Sequence, residues 1–303
     1  MSEEYLWLSE NVAEGLREYY AVKEVLVRAR TRYQDVSVVD TVPFGRCLVI
    51  DGKLQSSLLD EHVYHETLVH PAMVAHGSPE RVLVIGGGEG ATAREVLRWR
   101  TVRELTMVEI DEEVVGFCRK HMPELNAGAF DDDRMRLVIA EGRSYLEGSP
   151  DGSFDVIVVD ATDPTEGAAS LPLYSQEFYR TASKKLREGG IFVTQATSVV
   201  HNPFAFRSIM ETVRTAFRNV TPLAVFVVSF SSVWGFVVAS NSRSPESLSP
   251  DEVDRLIGER VSGRLRFYSG AIHRALIELA KRYLDLSKPE FRVIRDGEPV
   301  LIP

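Results

Sequence analysis

Nine residues constrain the fold of this chain more than any others: Val82-Leu83-Val84-Ile85-Gly86-Gly87-Gly88-Glu89-Gly90. The apolar run has no polar alternation, which suits a strand covered on both faces. It ends in glycines, which allow a tight turn and let backbone come close to a ligand. A helical pattern over residues 91–98 follows at once. The same grammar continues downstream. Strand-like runs at 81–85, 105–110, 135–140, 154–160, 190–196, 224–229 and 234–240 alternate with helical stretches such as 112–120 and 176–186. Strands alternating with helices predict an α/β fold with a doubly wound, mostly parallel sheet. A further helix is predicted over 250–258, and residues 291–294 read as a closing strand.

The first quarter of the chain reads differently. Alternating, β-branched runs at 20–27, 35–39 and 46–50 lead to Asp51-Gly52 and then Lys53-Leu54-Gln55. Asp-Gly between two strand-like runs is a hairpin signal. Residues 20–60 therefore predict a small antiparallel sheet, and residues 1–20 a leader with a short helix. A helix with apolar positions Val63, Leu68, Val69 and Met73 comes next. The predicted division is an N-terminal β-domain over 1–75 and a catalytic α/β domain over 76–303.

At 303 residues, 44% hydrophobic and 26% charged, the chain can bury a full core without staples. No apolar run reaches the ~18–20 residues that span a bilayer, and the acidic N-terminus lacks a signal-peptide pattern. Cys47 and Cys118 form no disulfide framework. A cytoplasmic protein is expected, with no membrane contact. The net charge of −9 argues against nucleic acid as the main partner. Neither Cys-x-x-Cys nor HExxH spacing occurs, so no metal is expected.

Four strand ends carry the candidate chemistry. Glu109 lies 23 residues after Gly86, where a carboxylate accepts both ribose hydroxyls of a nucleoside. Glu141-Gly142 ends the next strand and suits an adenine amino group. Glu89 sits where a dinucleotide would bring its pyrophosphate, and a buried anion facing a carboxylate is costly. The same objection weakens ordinary S-adenosylmethionine, whose tail carries a carboxylate. A cationic tail fits, as in decarboxylated S-adenosylmethionine. The fourth strand ends in Asp160 and Asp163 of Asp160-Ala161-Thr162-Asp163-Pro164, a pair able to hold ammonium groups or supply a general base. Asp163 before proline is also an ordinary turn residue. His65, Tyr174 and Trp234 read either as core side chains or as the aromatic lining of an alkylammonium site.

Together these residues resemble the polyamine aminopropyltransferases, the spermidine synthase family. The match runs through Tyr33-Gln34-Asp35, Asp51 to Gln55, Asp60-Glu61, Tyr64-His65-Glu66, His70-Pro71, Gly86 to Gly90, Glu109-Ile110-Asp111, Asp160 to Pro164 and Leu173-Tyr174. The resemblance implies a small β-domain joined to a Rossmann-like, methyltransferase-type domain, in a homodimer or homotetramer without a metal. It implies that Gln34, Gln55, Gly86, Gly88, Glu89, Glu109, Glu141, Gly142 and Asp160 hold decarboxylated S-adenosylmethionine as co-substrate, with no prosthetic group. Asp163 matches the family's acid/base, taking the acceptor's proton directly or through Tyr64 or a water. Tyr64, His65, Gln195 and Trp234 fall on the acceptor side.

The family's acceptor-binding tyrosine falls on Ser229, and Ser229-Phe230 to Trp234-Gly235 looks more like thermospermine synthases. That substitution predicts a longer or looser acceptor site: spermidine, or a range including norspermidine, cadaverine and putrescine. A strict putrescine aminopropyltransferase is the alternative. A methyltransferase, a nucleoside-binding module without chemistry and a nicotinamide dehydrogenase are weaker readings. Glu89 opposes the first and last, and Asp160 with Asp163 opposes the second.

Overall fold

The computed structural model describes residues 5–302. The first four residues of the expected leader lie outside them. The rest of that stretch forms no helix: it is a β-hairpin of β1 (Leu6–Ala13) and β2 (Leu16–Arg30), turning at Glu14-Gly15 with Gly15 at φ 75°. The sequence hides this strand because its apolar residues do not follow its burial: Leu6 and Trp7 are both about two-thirds exposed, while the charged Glu10 takes a less exposed position. The hairpin continues into β3 (Asp35–Thr41), β4 (Gly45–Ile50) and β5 (Lys53–Ser57), a five-stranded antiparallel sheet in sequential order.

Helix α1 (Glu61–His76) leads into the second sheet. Its elements are β6 (Arg81–Gly86), α2 (Ala91–Leu97), β7 (Glu104–Glu109), α3 (Glu112–His121), α4 (Pro123–Asn126), β8 (Met135–Ile139), α5 (Gly142–Gly148), β9 (Phe154–Asp160), α6 (Gln176–Lys185), β10 (Leu186–Ser198), α7 (Pro203–Arg214), β11 (Asn219–Val227), β12 (Ser232–Ser240), α8 (Pro250–Arg260) and α9 (Gly270–Ser287). The strand order is β11-β12-β10-β9-β6-β7-β8. Strands β6 to β10 run parallel, and β12 is antiparallel to both neighbours.

The alternating strand residues divide the core. Val82, Val84, Val156 and Val158 face one cluster with α1, α2 and α8; Leu83, Ile85, Ile157 and Val159 face another with α5, α6 and α7. Both faces are covered, as the apolar runs predicted. A third cluster joins the sheets: Val36, Val38, Leu48 and Ile50 of the small sheet pack on Val114 and Cys118 of α3. Fully burying such a side chain contributes about 1.5–3 kcal/mol. This joint fixes the small sheet over the carboxyl ends of the parallel strands.

Residues 291–294 are extended but join no sheet. Their amides are taken elsewhere: Arg292 donates to Ser208 Oγ at 3.1 Å and Ile294 to Thr212 Oγ1 at 2.9 Å, both on α7. No helix of the described residues is long and apolar enough to cross a membrane.

Candidate active site

Parallel strands carry their ends to one side of the sheet, and β6 lies between β7 and β9, where the strand order reverses. Ligands bind outside the carboxyl ends at such a point. A cavity opens there between the two sheets. It is lined by Gly86, Gly88 and Glu89 after β6, Glu109 at the end of β7, Glu141 and Gly142 after β8, and Asp160 and Asp163 at the end of β9. Gln195 of β10, Trp234 of β12, Tyr64 of α1, Gln34 and Gln55 line it too, as expected.

Two glycines are required sterically. Gly86 has φ 84°, and a Cβ there would lie 2.2 Å from the Asp160 carbonyl oxygen. A Cβ on Gly142 would lie 2.3 Å from Ile85 Cγ2. The Gly87 amide donates to that Asp160 carbonyl at 2.8 Å, so the β6 turn and the β9 end are one unit.

The carboxylates at the ends of β7 and β8 are held by backbone. Glu109 Oε1 accepts from the amides of Ile110 at 2.8 Å and Asp111 at 3.0 Å. Burial dominates over these bonds and, with Glu89 nearby, pushes Glu109 up to about 7. Glu141 caps α5: Oε1 accepts from Arg143 N–H and Oε2 from Ser144 N–H and Oγ. Burial opposes ionisation, but the Ser144 and Arg143 bonds hold Glu141 below its ordinary value. Glu141 thus has a structural duty that its position after a strand did not reveal. Gln34 donates to Asp111 Oδ2 at 3.0 Å, tying the small sheet to the turn after β7.

At the other end, Asp163 Oδ1 accepts from Gln195 Nε2 at 3.1 Å and Oδ2 from Thr197 Oγ1 at 3.4 Å. Burial raises Asp163 to about 6 against the opposing pull of Lys53, Gln195 and Thr197. Asp160 Oδ1 accepts from the Tyr64 hydroxyl at 2.9 Å and Oδ2 from Thr92 Oγ1 at 2.5 Å. Burial and Glu89 raise Asp160 to about 6, opposed by His65. The Tyr64 hydroxyl therefore points its proton at Asp160. It makes no bond to Asp163, which corrects the expectation of a Tyr64 relay between Asp163 and the acceptor.

Two expected residues do not line the cavity. His65 is buried behind it, with Nε2 2.8 Å from Glu89 Oε1 and Nδ1 2.7 Å from the Glu61 carbonyl. Burial alone would favour neutral imidazole, yet the bonds to Glu61 and Glu89 outweigh it and push His65 up to about 10. It is an imidazolium that orients Glu89 and offsets its charge. His65, Glu89 and Asp160 offer ligand atoms within 4.8 Å of one another, a spacing a divalent ion can use; the His65–Glu89 hydrogen bond spans that gap here.

Ser229 is the second correction. Its amide and hydroxyl both donate to the Asp60 carboxylate at 2.8 Å, seating the turn before β12 against the start of α1. It presents no surface to the cavity, so a smaller side chain there does not by itself enlarge the acceptor site.

Other lining residues escaped the sequence reading. Glu10, Asn11 and Val12 of β1 reach the cavity, as do Lys53, His201, Asn202 and Ile302. Glu10 Oε2 accepts from the Leu54 amide at 3.2 Å, and burial dominates to raise it to about 7. A hairpin read at Glu14-Gly15 would have found β1 and its pairing with β2, but not its approach to Leu54. Six carboxylates (Glu10, Glu89, Glu109, Glu141, Asp160 and Asp163) thus line one cavity with a single lysine. That balance selects a cation.

Known proteins agree with this geometry. Residues 61–248 match the spermine/spermidine synthase domain, and residues 6–57 match the spermidine synthase tetramerisation domain. The chain is 43% identical to polyamine aminopropyltransferase 2 of Hyperthermus butylicus, covering 98% of this chain and 97% of that one. It is 39% identical to the polyamine aminopropyltransferase of Sulfolobus acidocaldarius, covering 94% of both. A solved spermidine synthase in complex with the transition-state analogue AdoDATO superposes with a TM-score of 0.86 at 27% identity, over 94% of this chain and 97% of that one. Spermidine synthase from Thermotoga maritima superposes with a TM-score of 0.84 at 27% identity, over 94% and 96%. The glycine turn, the strand-end carboxylates and these matches lead to one conclusion: the chain belongs to the polyamine aminopropyltransferases, the spermine/spermidine synthase family.

Proposed function

We propose that this chain transfers an aminopropyl group from decarboxylated S-adenosylmethionine to a primary amine of a polyamine, releasing methylthioadenosine. The carrying observation is the cavity of six carboxylates and one lysine at the strand ends. A sulfonium with an aminopropyl ammonium has no anionic part to oppose them. Glu109 would take the ribose hydroxyls, and Glu141 with Gly142 the adenine side. Glu89, held by His65, and Asp160, held by Tyr64 and Thr92, would take the aminopropyl ammonium.

Asp163 would act on the acceptor. A primary amine has a pKa of about 10 and arrives as ammonium. Asp163, poised at about 6, accepts one of its protons. The freed nitrogen lone pair attacks the methylene beside sulfur. The C–N bond forms as the C–S bond breaks, and the bonding pair stays on sulfur as a neutral thioether. Positioning and the fixed carboxylates carry most of the acceleration. Gln195 keeps Asp163 aimed through its 3.1 Å bond.

The acceptor would carry a second ammonium for Glu10, which makes it a di- or polyamine. Trp234 and Phe230 both line the cavity and would flank its methylene chain. Spermidine or a range of amines remains our reading; Glu10 would take a second ammonium in any of them, and Ser229 lends the longer acceptor no support. We further propose a homotetramer, or failing that a homodimer, in which the exposed Leu6, Trp7 and Tyr19 of the hairpin are covered. The buried, unpaired Cys47 and Cys118 support a cytoplasmic setting.

A product assay tests the reading. The protein is incubated with decarboxylated S-adenosylmethionine and, separately, putrescine, cadaverine, norspermidine and spermidine, and products are identified by mass spectrometry. Methylthioadenosine release with spermidine exceeding that with putrescine supports the full reading. Putrescine preference keeps the transfer and discards the long acceptor. No release with any amine overturns the activity.

A further inference from the structure

The chain beyond α9 returns across the molecule to the cavity. Several contacts hold it, among them the Asp296 amide donating to Glu177 Oε2 at 3.1 Å. Arg292 and Ile294 donate to Ser208 and Thr212 of α7, and the Ile294 carbonyl accepts from the Gln176 amide at 2.9 Å. Asp296 then pairs with Arg143 of α5 through two bonds of 2.6 and 2.7 Å. Last, the Ile302 amide donates to the Pro164 carbonyl at 3.1 Å. Its side chain lies in the same core cluster as Ile85 and Leu173, and all three line the cavity.

Two of these anchors touch segments that carry a site group. Arg143 is one residue past Gly142, and its own amide bonds Glu141. Pro164 directly follows Asp163. The turn from Asp160 to Ser170 contains no regular strand or helix of its own before the short helical turn at Leu171–Tyr174. Its position depends on what grips it. Tyr174 holds the Thr162 carbonyl at 2.9 Å from one side, and Ile302 holds Pro164 from the other.

We propose that residues 291–302 form a strap with two separable duties. The Ile302 side chain is a binding residue for the nucleoside end of the co-substrate, where it adds apolar wall beside Ile85 and Leu173. The Ile302 amide is a positioning group that fixes the turn carrying Asp163. This rests on the transfer reading above. An apolar wall among six carboxylates favours the uncharged, flat part of a ligand, because a base gains dispersion contact and loses little hydration there. The Arg143–Asp296 pair, outside the cavity, sets the register of the strap, so its loss loosens both the Ile302 wall and the Ile302 amide.

The two duties are separated by substitution. Ile302→Ser keeps the amide and loses the wall, whereas Ile302→Pro removes the donor and keeps apolar bulk. The expected result for Ile302→Ser is a roughly tenfold weaker methylthioadenosine affinity by calorimetry and a matching rise in co-substrate KM, with acceptor KM within twofold of wild type. Ile302→Val should restore most of that affinity. For Ile302→Pro the expected result is a roughly tenfold fall in kcat with affinity nearly kept, and faster hydrogen exchange at Thr162 to Ser170. Asp296→Asn should show both effects in weaker form.

Circular dichroism and Tm confirm that each variant is folded. Folded Ile302→Ser with wild-type affinity, or Ile302→Pro with wild-type kcat and exchange, overturns the corresponding duty. Ile302→Val as weak as Ile302→Ser also overturns the wall. If the wild type transfers nothing, the activity falls on that result alone. The strap is then judged by methylthioadenosine binding and hydrogen exchange, which need no turnover.

Discussion

Replacing Asp163 with Asn alters charge and almost nothing else. The amide keeps an oxygen for Gln195 Nε2, now 3.1 Å from Oδ1, and turns its NH2 toward Thr197 Oγ1, now 3.4 Å from Oδ2. The fold should hold, with Tm within a few degrees of wild type. Catalysis should not. Asparagine cannot take the ammonium proton, and loss of a positioned base costs about 10²–10⁴-fold in kcat.

The pH dependence sharpens the test. Asp163 is a base only when ionised, and its pKa is pushed up to about 6. At pH 5 such a group is about one-tenth ionised, and at pH 8 almost fully so. The wild-type rate should therefore carry an acid limb that the variant lacks. Other groups, Asp160 among them, titrate in both proteins and cancel in the ratio. The ratio of wild-type to Asp163→Asn kcat/KM should shrink about tenfold between pH 8 and pH 5. Initial rates of methylthioadenosine formation measure it. A ratio below threefold at pH 8, or one that stays constant down to pH 5, refutes Asp163 as the base.

Glu10→Gln should raise the acceptor KM about tenfold, through loss of one charge-assisted contact, and leave the co-substrate KM unchanged; an equal effect on both would remove Glu10 from the acceptor side. Because Glu10 sits at about 7, the wild-type acceptor KM should also climb as pH falls below 7, and the variant should lack this. His65 has a folded pKa of about 10, above the ordinary 6.5. Its pairing thus stabilises fully below pH 6.5, and that contribution is lost as pH rises through 10. The Tm gap between wild type and His65→Gln should accordingly narrow from pH 7 to pH 10, and a gap that widens contradicts the imidazolium. Gly86→Ala combines a φ of 84° with a 2.2 Å clash and should cost about 3 kcal/mol in denaturant titration; a loss under about 0.5 kcal/mol would show that the turn can move away from Asp160.

Much of the site was legible because it is local. Gly86, Glu109, Glu141 and Asp160 each end or follow an apolar run, and parallel strands separated by helices must place such ends together. Tyr64 and Gln195 came through resemblance and do line the cavity. The failures have a common cause. The resemblance puts the family's tyrosine at Ser229, but which way a turn residue points depends on Asp60, 169 positions away. The resemblance puts His65 on the acceptor side with Tyr64, but adjacent helical residues face different directions, and His65 turns to Glu61 and Glu89. Glu10 was missed with β1, whose exposed apolar residues conceal a strand.

Local order in the sequence alone determined the parallel sheet, the glycine turn and the row of acidic strand ends. Those features follow from side-chain periodicity and steric demand within a few residues. Tertiary structure decided which carboxylate meets which donor. Asp163 is aimed by Gln195, Asp160 by Tyr64, Glu89 by His65 and Pro164 by Ile302, and these partners lie 24 to 138 positions apart in the chain. No local pattern encodes such a pairing, because it depends on how two sheets and a returning tail share one core. Burial in that core then moved Asp163, Asp160 and Glu109 toward neutrality.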